Sequence, residues 1–368
     1  MMSAAGSTLP SGEKERIRGS SLEGSEEMQT RGDARSGPNA TPHTRDAWRG
    51  RKVTERLAEM KGIFVRHEGV RAVEKFLEQE LLLREAEQQA SGALLTALPG
   101  AGKTWLLKYL QRMYPVVETP TLTTLQMVCF KVPKAPTTKS MGTALLKAMR
   151  DPMADYGDSD KKVERIGALL RKTGVRIVAI DDFQDVPAKR RERGVQAISF
   201  WIRDLCDLPF PGVVLAVGTA EAEQVRDNND QIKRRMTATL NLPEFGIAPG
   251  DQVRRFRSLL SQIDAALPLA EDSGLSQPDV AARLYLATHG LMSYLMKLLL
   301  RSLVRTVQRG AEHMELQDLE AGFGDLHQVS ALAGNPFAAD FDGEQLIRPG
   351  QVFSHLRRTD DHGQNATG

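Results

Sequence analysis

Only two cysteines occur in the chain, Cys129 and Cys206. Neither stands in a His/Cys cluster, so a disulfide framework is excluded and a zinc site is not expected. Two free thiols in a reducing compartment are the expectation. Net charge is scarce as well: 49 Lys and Arg against 47 Asp and Glu leave +2, so total charge gives no warrant for a nucleic-acid partner, which must be sought in local patches. Long hydrophobic runs are missing. The most apolar long segment, Leu291 to Val307, is interrupted by Lys297, Arg301 and Arg305, and no signal peptide is expected. A cytoplasmic protein without a membrane partner is expected. With 368 residues, the chain is long enough for two or three domains.

What is present centres on Ala97-Leu98-Pro99-Gly100-Ala101-Gly102-Lys103-Thr104. It follows the apolar run Ala93-Leu94-Leu95 and precedes Trp105-Leu106-Leu107-Lys108-Tyr109-Leu110, which has helical spacing. Strand, glycine-rich turn, Gly-Lys-Thr and helix make a phosphate-binding P-loop, although Ala97 stands where the pattern opens with Gly. The alternative is an ordinary strand-to-helix turn. Small residues let successive N–H groups face an anion, and the helix dipole adds to them. Pro99, Gly100, Ala101, Gly102, Lys103, Thr104 and Trp105 are the candidate ATP contacts. Lys103 is placed for the β/γ-phosphates and Thr104 for Mg²⁺.

Along the chain, residues 1–47 are rich in Ser, Gly, Arg and Glu with little aliphatic content, and are expected to be disordered. An apolar stripe at Val70, Val73, Leu77 and Leu81 predicts a helix. A strand fits Leu125 to Val132 and a helix Met141 to Met149. A further helix ends at Gly174, a suitable C-cap. Val175 to Ile180 and Gly212 to Val217 read as buried strands, and Thr239 to Leu242 as another. Alternating strands and helices over 48–245 imply an α/β domain with a parallel sheet. Beyond Pro243 no strand-like runs remain. Ser276 and Pro278 predict the start of one helix, Leu291 to Arg309 spans a second, and a third begins near Leu316. Residues 246–330 are therefore expected to form a small all-helical lid, followed by a polar tail, 331–368, with Asn335-Pro336-Phe337 as its apolar anchor.

The strand Ile177-Val178-Ala179-Ile180 ends in Asp181-Asp182, the Walker B arrangement. Ligands bind at the C-terminal edge of parallel sheets. Asp181 is expected in the Mg²⁺ shell and Asp182 as the carboxylate that polarises the attacking water, one methylene shorter than the usual Glu. Thr219, at the next strand tip, fits the water-orienting role called sensor 1. Arg234 and Arg235 precede the last strand, where an arginine can project into a neighbouring subunit's site, with Arg235 favoured. Two basic clusters could meet DNA phosphates or could be solvated surface: Lys131, Lys134, Thr137, Thr138 and Lys139, and Lys189, Arg190 and Arg191. No aromatics are interleaved with either, so base stacking gains no support.

This order of motifs matches AAA+ P-loop NTPases, and more narrowly the chain resembles transposon-encoded AAA+ regulators of the TniB/TnsC type. The resemblance spans roughly residues 50 to 330. It rests on Phe64-Val65-Arg66-His67-Glu68, on Lys172 through Gln184, on Val217-Gly218-Thr219-Ala220-Glu221-Ala222 with Gln231 to Met236, and on Leu267-Pro268-Leu269-Ala270, Ser273-Gly274-Leu275 and Thr288-His289-Gly290-Leu291-Met292. It implies that Phe64 and Arg66 lie near the adenine. It also implies a homo-oligomeric ring or filament on double-stranded DNA, a transposase partner and a target-selection protein. Lys134, Thr138 and Lys139 would face the DNA. Ser293-Tyr294 offers no sensor 2 arginine. A helicase-loader or replication-initiator ATPase, and a signalling or chaperone ATPase, are the alternatives.

Overall fold

The computed structural model describes residues 42–186, 193–248, 250–327, 334–341, 343–348 and 351–354. The expectation for 1–47 therefore falls largely outside the described residues, as does much of the tail.

A 3-10 turn, Pro42–Trp48, leads into α1 (Val53–Met60) and α2 (Glu68–Glu87). Then come β1 (Ser91–Thr96), α3 (Lys103–Met113), β2 (Val116–Glu118), β3 (Thr123–Leu125) and β4 (Met127–Lys131). They are followed by α4 (Thr138–Ala148), α5 (Ser159–Thr173), β5 (Ile177–Asp181), α6 (Arg193–Cys206) and β6 (Val213–Gly218). The short α7 (Glu221–Asp227) and α8 (Asp230–Arg235) precede β7 (Ala238–Asn241). Four helices complete the chain: α9 (Asp251–Ala266), α10 (Pro278–Thr288), α11 (Met292–Gln308) and α12 (Leu316–His327).

Five strands form one parallel sheet in the order β4-β5-β6-β1-β7. Its central strands are apolar at nearly every position because both faces are covered. Alternate residues serve opposite cores, as the two-residue period of a strand requires. Leu94, Val178, Ile180, Val214 and Ala216 face a core shared with α4, α5 and α6. Ala93, Leu95, Ile177, Ala179 and Leu215 face one shared with α2 and α3. The α2 stripe Val70, Val73, Leu77 and Leu81 is buried there.

A third core belongs to the helices after β7. Phe256, Leu259, Leu260 and Ile263 of α9 pack with α10, α11 and α12, joined by Met60 and Ile63 from the start of the chain and by Phe337, Leu346 and Phe353 from its end. Arg56 of α1, 2 % exposed, ties these parts together. It makes a bidentate pair with Glu312 at 2.8 and 2.9 Å and donates to the carbonyls of Trp48, Arg51 and Pro268.

Several elements depart from the sequence expectation. The strand expected at Leu125 to Val132 is broken at Gln126, whose carbonyl accepts from the amides of Arg176 and Ile177; β3 instead pairs with β2 in an antiparallel hairpin. Gln277, not Ser276, is the N-cap of α10, with Pro278 in its first turn. Gly174 caps α5 in the left-handed conformation, as expected. No helix among the described residues is long and apolar enough to cross a membrane.

Candidate functional site

The C-terminal edge of the sheet gathers the site. Ala97 extends the β1–β6 ladder by donating to the Gly218 carbonyl at 3.1 Å. The chain then turns through Gly100 and Gly102, at φ 86° and 107°, a region that side-chain-bearing residues rarely adopt. Gly102 is the N-cap of α3, so the first-turn amides of that helix have no intrahelical acceptors and are available to an anion. The close approach of α11 also requires Gly100: a Cβ there would stand 2.7 Å from Ser293 Oγ, and Ser293 N donates to the Gly100 carbonyl at 2.9 Å.

Lys103 Nζ donates to the carbonyls of Ala97 and Leu98 at 2.9 and 3.1 Å, which holds the ammonium across the loop. Burial pulls its pKa down, while Asp181, Asp182 and Glu221 oppose the shift. Thr104 follows, exposed at the same edge. Mg²⁺ prefers oxygen donors and characteristically takes one or two from the protein, with phosphates and water completing the shell. The Thr104 hydroxyl and the Asp181 carboxylate fit that chemistry.

Asp181 ends β5 at 4 % exposure, and Asp182 leaves the strand in the left-handed conformation (φ 56°, ψ 42°). Aspartate tolerates this turn better than most residues. In the β4–β5 register Lys131 lies opposite Asp181. Its Nζ donates to Asp182 Oδ2 at 2.8 Å and sits 3.5 Å from Asp181 Oδ2. That hydrogen bond is the chief reason the Asp182 carboxyl is held below the usual carboxylate range, and in turn raises Lys131. Lys131, expected among the DNA contacts, is thus engaged by the two acids of the nucleotide edge.

Thr219 follows β6 directly, and its buried hydroxyl has no hydrogen-bond partner among the described residues, while the Glu221 carboxyl nearby interacts with Lys103. Gln184, in the turn after Asp182, touches both strand tips. Sequence reasoning gave no role to Gln184 or Glu221. The signal available was their position three residues beyond a strand end.

Beside the loop lies a small apolar cleft lined by Phe64, His67, Ala101, Gly102, Trp105 and Met292, among other residues. Phe64 stacks on Tyr109 with ring centroids 4.1 Å apart. His67 is 8 % exposed and burial pushes its pKa down to about 4, so the ring is neutral there. Arg66, expected beside the adenine, is not among the cleft's residues. Its guanidinium pairs with Glu74 at 3.1 and 2.8 Å, and Tyr109 Oη donates to the same carboxylate.

The basic candidates divide in the same way. Arg235, the favoured finger, makes a bidentate pair with Asp207 at 2.9 and 2.7 Å within its own chain. Arg234 is exposed and has no ion pair among the described residues. The Thr137 hydroxyl caps α4 in a box with Ser140, leaving Lys134 and Lys139 exposed on either side of that cap and Thr138 half-buried as the first residue of α4. Lys189, Arg190 and Arg191 lie outside the described residues.

Comparison with solved structures places the architecture. The ORC2 protein of Aeropyrum pernix, in ADPNP–ADP complexes, overlays 73 % of this chain with 69 % of its own, at TM-score 0.51 and 13 % identity. CDC6P from Pyrobaculum aerophilum overlays 68 % of this chain with 65 % of its own, at TM-score 0.49 and 18 % identity. The fold is that of the AAA+ ATPases. No curated protein sequence matches the chain. A protein-family model described as "Bacterial TniB protein" matches residues 57–246.

Proposed function

We propose, because this chain belongs to the bacterial TniB family and has an AAA+ ATPase fold, that it binds and hydrolyses ATP, assembles on double-stranded DNA and acts there on a transposase. The observation that carries the nucleotide reading is the convergence of Lys103, Asp181, Asp182 and Thr219 on one sheet edge, where the lysine and the two acids interact electrostatically. Lys103 and the α3 amides would hold the phosphates, and Thr104 with Asp181 would hold Mg²⁺. The bound metal would supply charge neutralisation on the transferred phosphoryl group. Asp182 would take the proton of the attacking water, with Thr219 orienting that water. The anionic form Asp182 needs as a base is the one Lys131 favours. One methylene shorter than the usual Glu, Asp182 is expected to support only slow hydrolysis.

An incomplete site in the single chain favours a multimer. Among the described residues this edge holds Lys103 and the acid-paired Lys131 but no arginine, and Arg234, exposed and without an ion pair among the described residues, is the arginine a neighbour would contribute. Lys134 and Lys139 are the surface cations suited to DNA phosphates, a sequence-independent and salt-sensitive contact. Target selection would then fall to a further partner. Cytoplasm is the compartment where ATP and DNA meet.

Electron microscopy with duplex DNA and a slowly hydrolysed ATP analogue tests this reading. Rings or helical filaments are expected; monomers alone under those conditions would refute it. Binding to a replicative helicase in place of a transposase would transfer the chain to the helicase-loader reading. Within the multimer, Arg234→Ala is expected to cut ATP turnover by about 10³-fold while leaving ATP binding intact. Arg235→Ala should instead cost at most about 1 kcal/mol of stability, the worth of a half-exposed pair. Equal turnover losses in the two variants would return the finger role to both.

A further inference from the structure

We propose that Gln184 is a positioning residue for hydrolysis, clamping the water-polarising carboxylate of Asp182 to the backbone of Thr219. The proposal rests on the reading of this edge as an ATPase site and adds a residue to it. Gln184 sits in the 3-10 turn Phe183–Asp185, directly after Walker B. Its Oε1 accepts from the Thr219 amide at 3.1 Å, and its Nε2 donates to Asp182 Oδ1 in a longer contact of 3.4 Å. The chemistry of the partners fixes the orientation of the amide. A backbone N–H can only donate and an ionised carboxylate can only accept, so a flipped amide would face donor against donor and acceptor against acceptor.

Two further observations support the clamp. A Cβ at Gly218 would come within 2.8 Å of Gln184 Oε1, so the bare backbone of Gly218 gives the amide its access to the β6 tip. Asp182 is also held from the other side, by Lys131 on Oδ2. Its two oxygens are therefore occupied by different donors, one from β4 and one from the turn after β5. An aspartate one methylene short of glutamate, on a left-handed backbone, needs such bracing to present a lone pair at a defined place. Gln184 acts through Asp182 and Thr219.

Two variants separate the bonds. Gln184→Glu keeps an acceptor for the Thr219 amide but replaces the donor facing Asp182 with an anion. Gln184→Met removes both contacts at similar size. In the full chain with DNA and Mg-ATP, both are expected to lower kcat at least 10-fold while KM for ATP stays within two-fold. In nucleotide-free protein, hydrogen exchange at the Thr219 amide should stay slow in Gln184→Glu and quicken at least 10-fold in Gln184→Met. An unchanged kcat in Gln184→Glu, or unchanged Thr219 exchange in Gln184→Met, overturns the proposal. Failure of the underlying reading is recognised separately: there the wild-type chain binds ATP without hydrolysing it, whereas the exchange measurement uses no nucleotide.

Discussion

Alanine at Lys103 is expected to weaken ATP binding by roughly 30- to 150-fold, corresponding to about 2–3 kcal/mol for a lost hydrogen bond between charged groups. The reason is geometric as well as electrostatic. Lys103 Nζ already lies over the loop, within 3.1 Å of two of its carbonyls, beside the space that phosphates would enter. Its partial burial makes the charge count for more than it would in water. Since ATP is proposed to drive assembly, the same substitution should leave the chain monomeric on DNA. Titration with a fluorescent ATP analogue and sedimentation with DNA check the two halves. Retained affinity would move the phosphate site away from this loop. The fold should survive, because Lys103 contributes to none of the three cores.

The largest expected effect on stability lies far from the nucleotide. Arg56→Ala should destabilise the chain by about 3–5 kcal/mol, the cost of breaking a buried ion pair from one side. Arg56 joins α1 to the helical part through Glu312 and the Pro268 carbonyl, and its removal leaves three backbone carbonyls and a carboxylate short of a donor. Urea unfolding measures the loss, and a change below about 1 kcal/mol would show that the site can collapse around the gap. The pair also sets a pH dependence. Arg56 holds the Glu312 carboxyl below its usual value. A depressed folded-state pKa gives stability that is fully present above the unfolded-state pKa, about 4.3, and is lost as pH falls through the folded-state value. Acid sensitivity below pH 4.3 from this source should vanish in Arg56→Ala.

Local features of this molecule were legible from sequence and pairings across the sheet were not. The P-loop could be read because its two left-handed glycines, its lysine and the helix after it are contiguous. The β5 strand was legible because burial on both faces leaves five apolar or terminal acidic residues in a row. Lys131 reads as a surface cation until the β4–β5 register sets it opposite Asp181, 50 residues away in sequence. The pairings of Arg235 and Arg66 were illegible because Asp207 and Glu74 come beside them only in the folded chain. Thr137 carried a readable cue, since threonine is a favoured N-cap residue at a helix start. The helix α9 went unread although Phe256, Leu259, Leu260 and Ile263 keep helical spacing, because Arg254, Arg255 and Arg257 interrupt it. The β2–β3 hairpin was invisible as short, exposed strands usually are: it buries too little to leave a periodic trace.

The hydrogen bond from Ser293 to Gly100 makes α11 a lever whose short end rests on the phosphate loop. At 17 residues its arm is about 25 Å long. A tilt of roughly 10° about that fulcrum would carry the far end about 4 Å, estimated from the same helical rise. A methyl group at Gly100 would meet the Ser293 hydroxyl, so loop and helix run close together at that point. A shift of the loop transmitted through that bond would therefore be enlarged at the far end of α11.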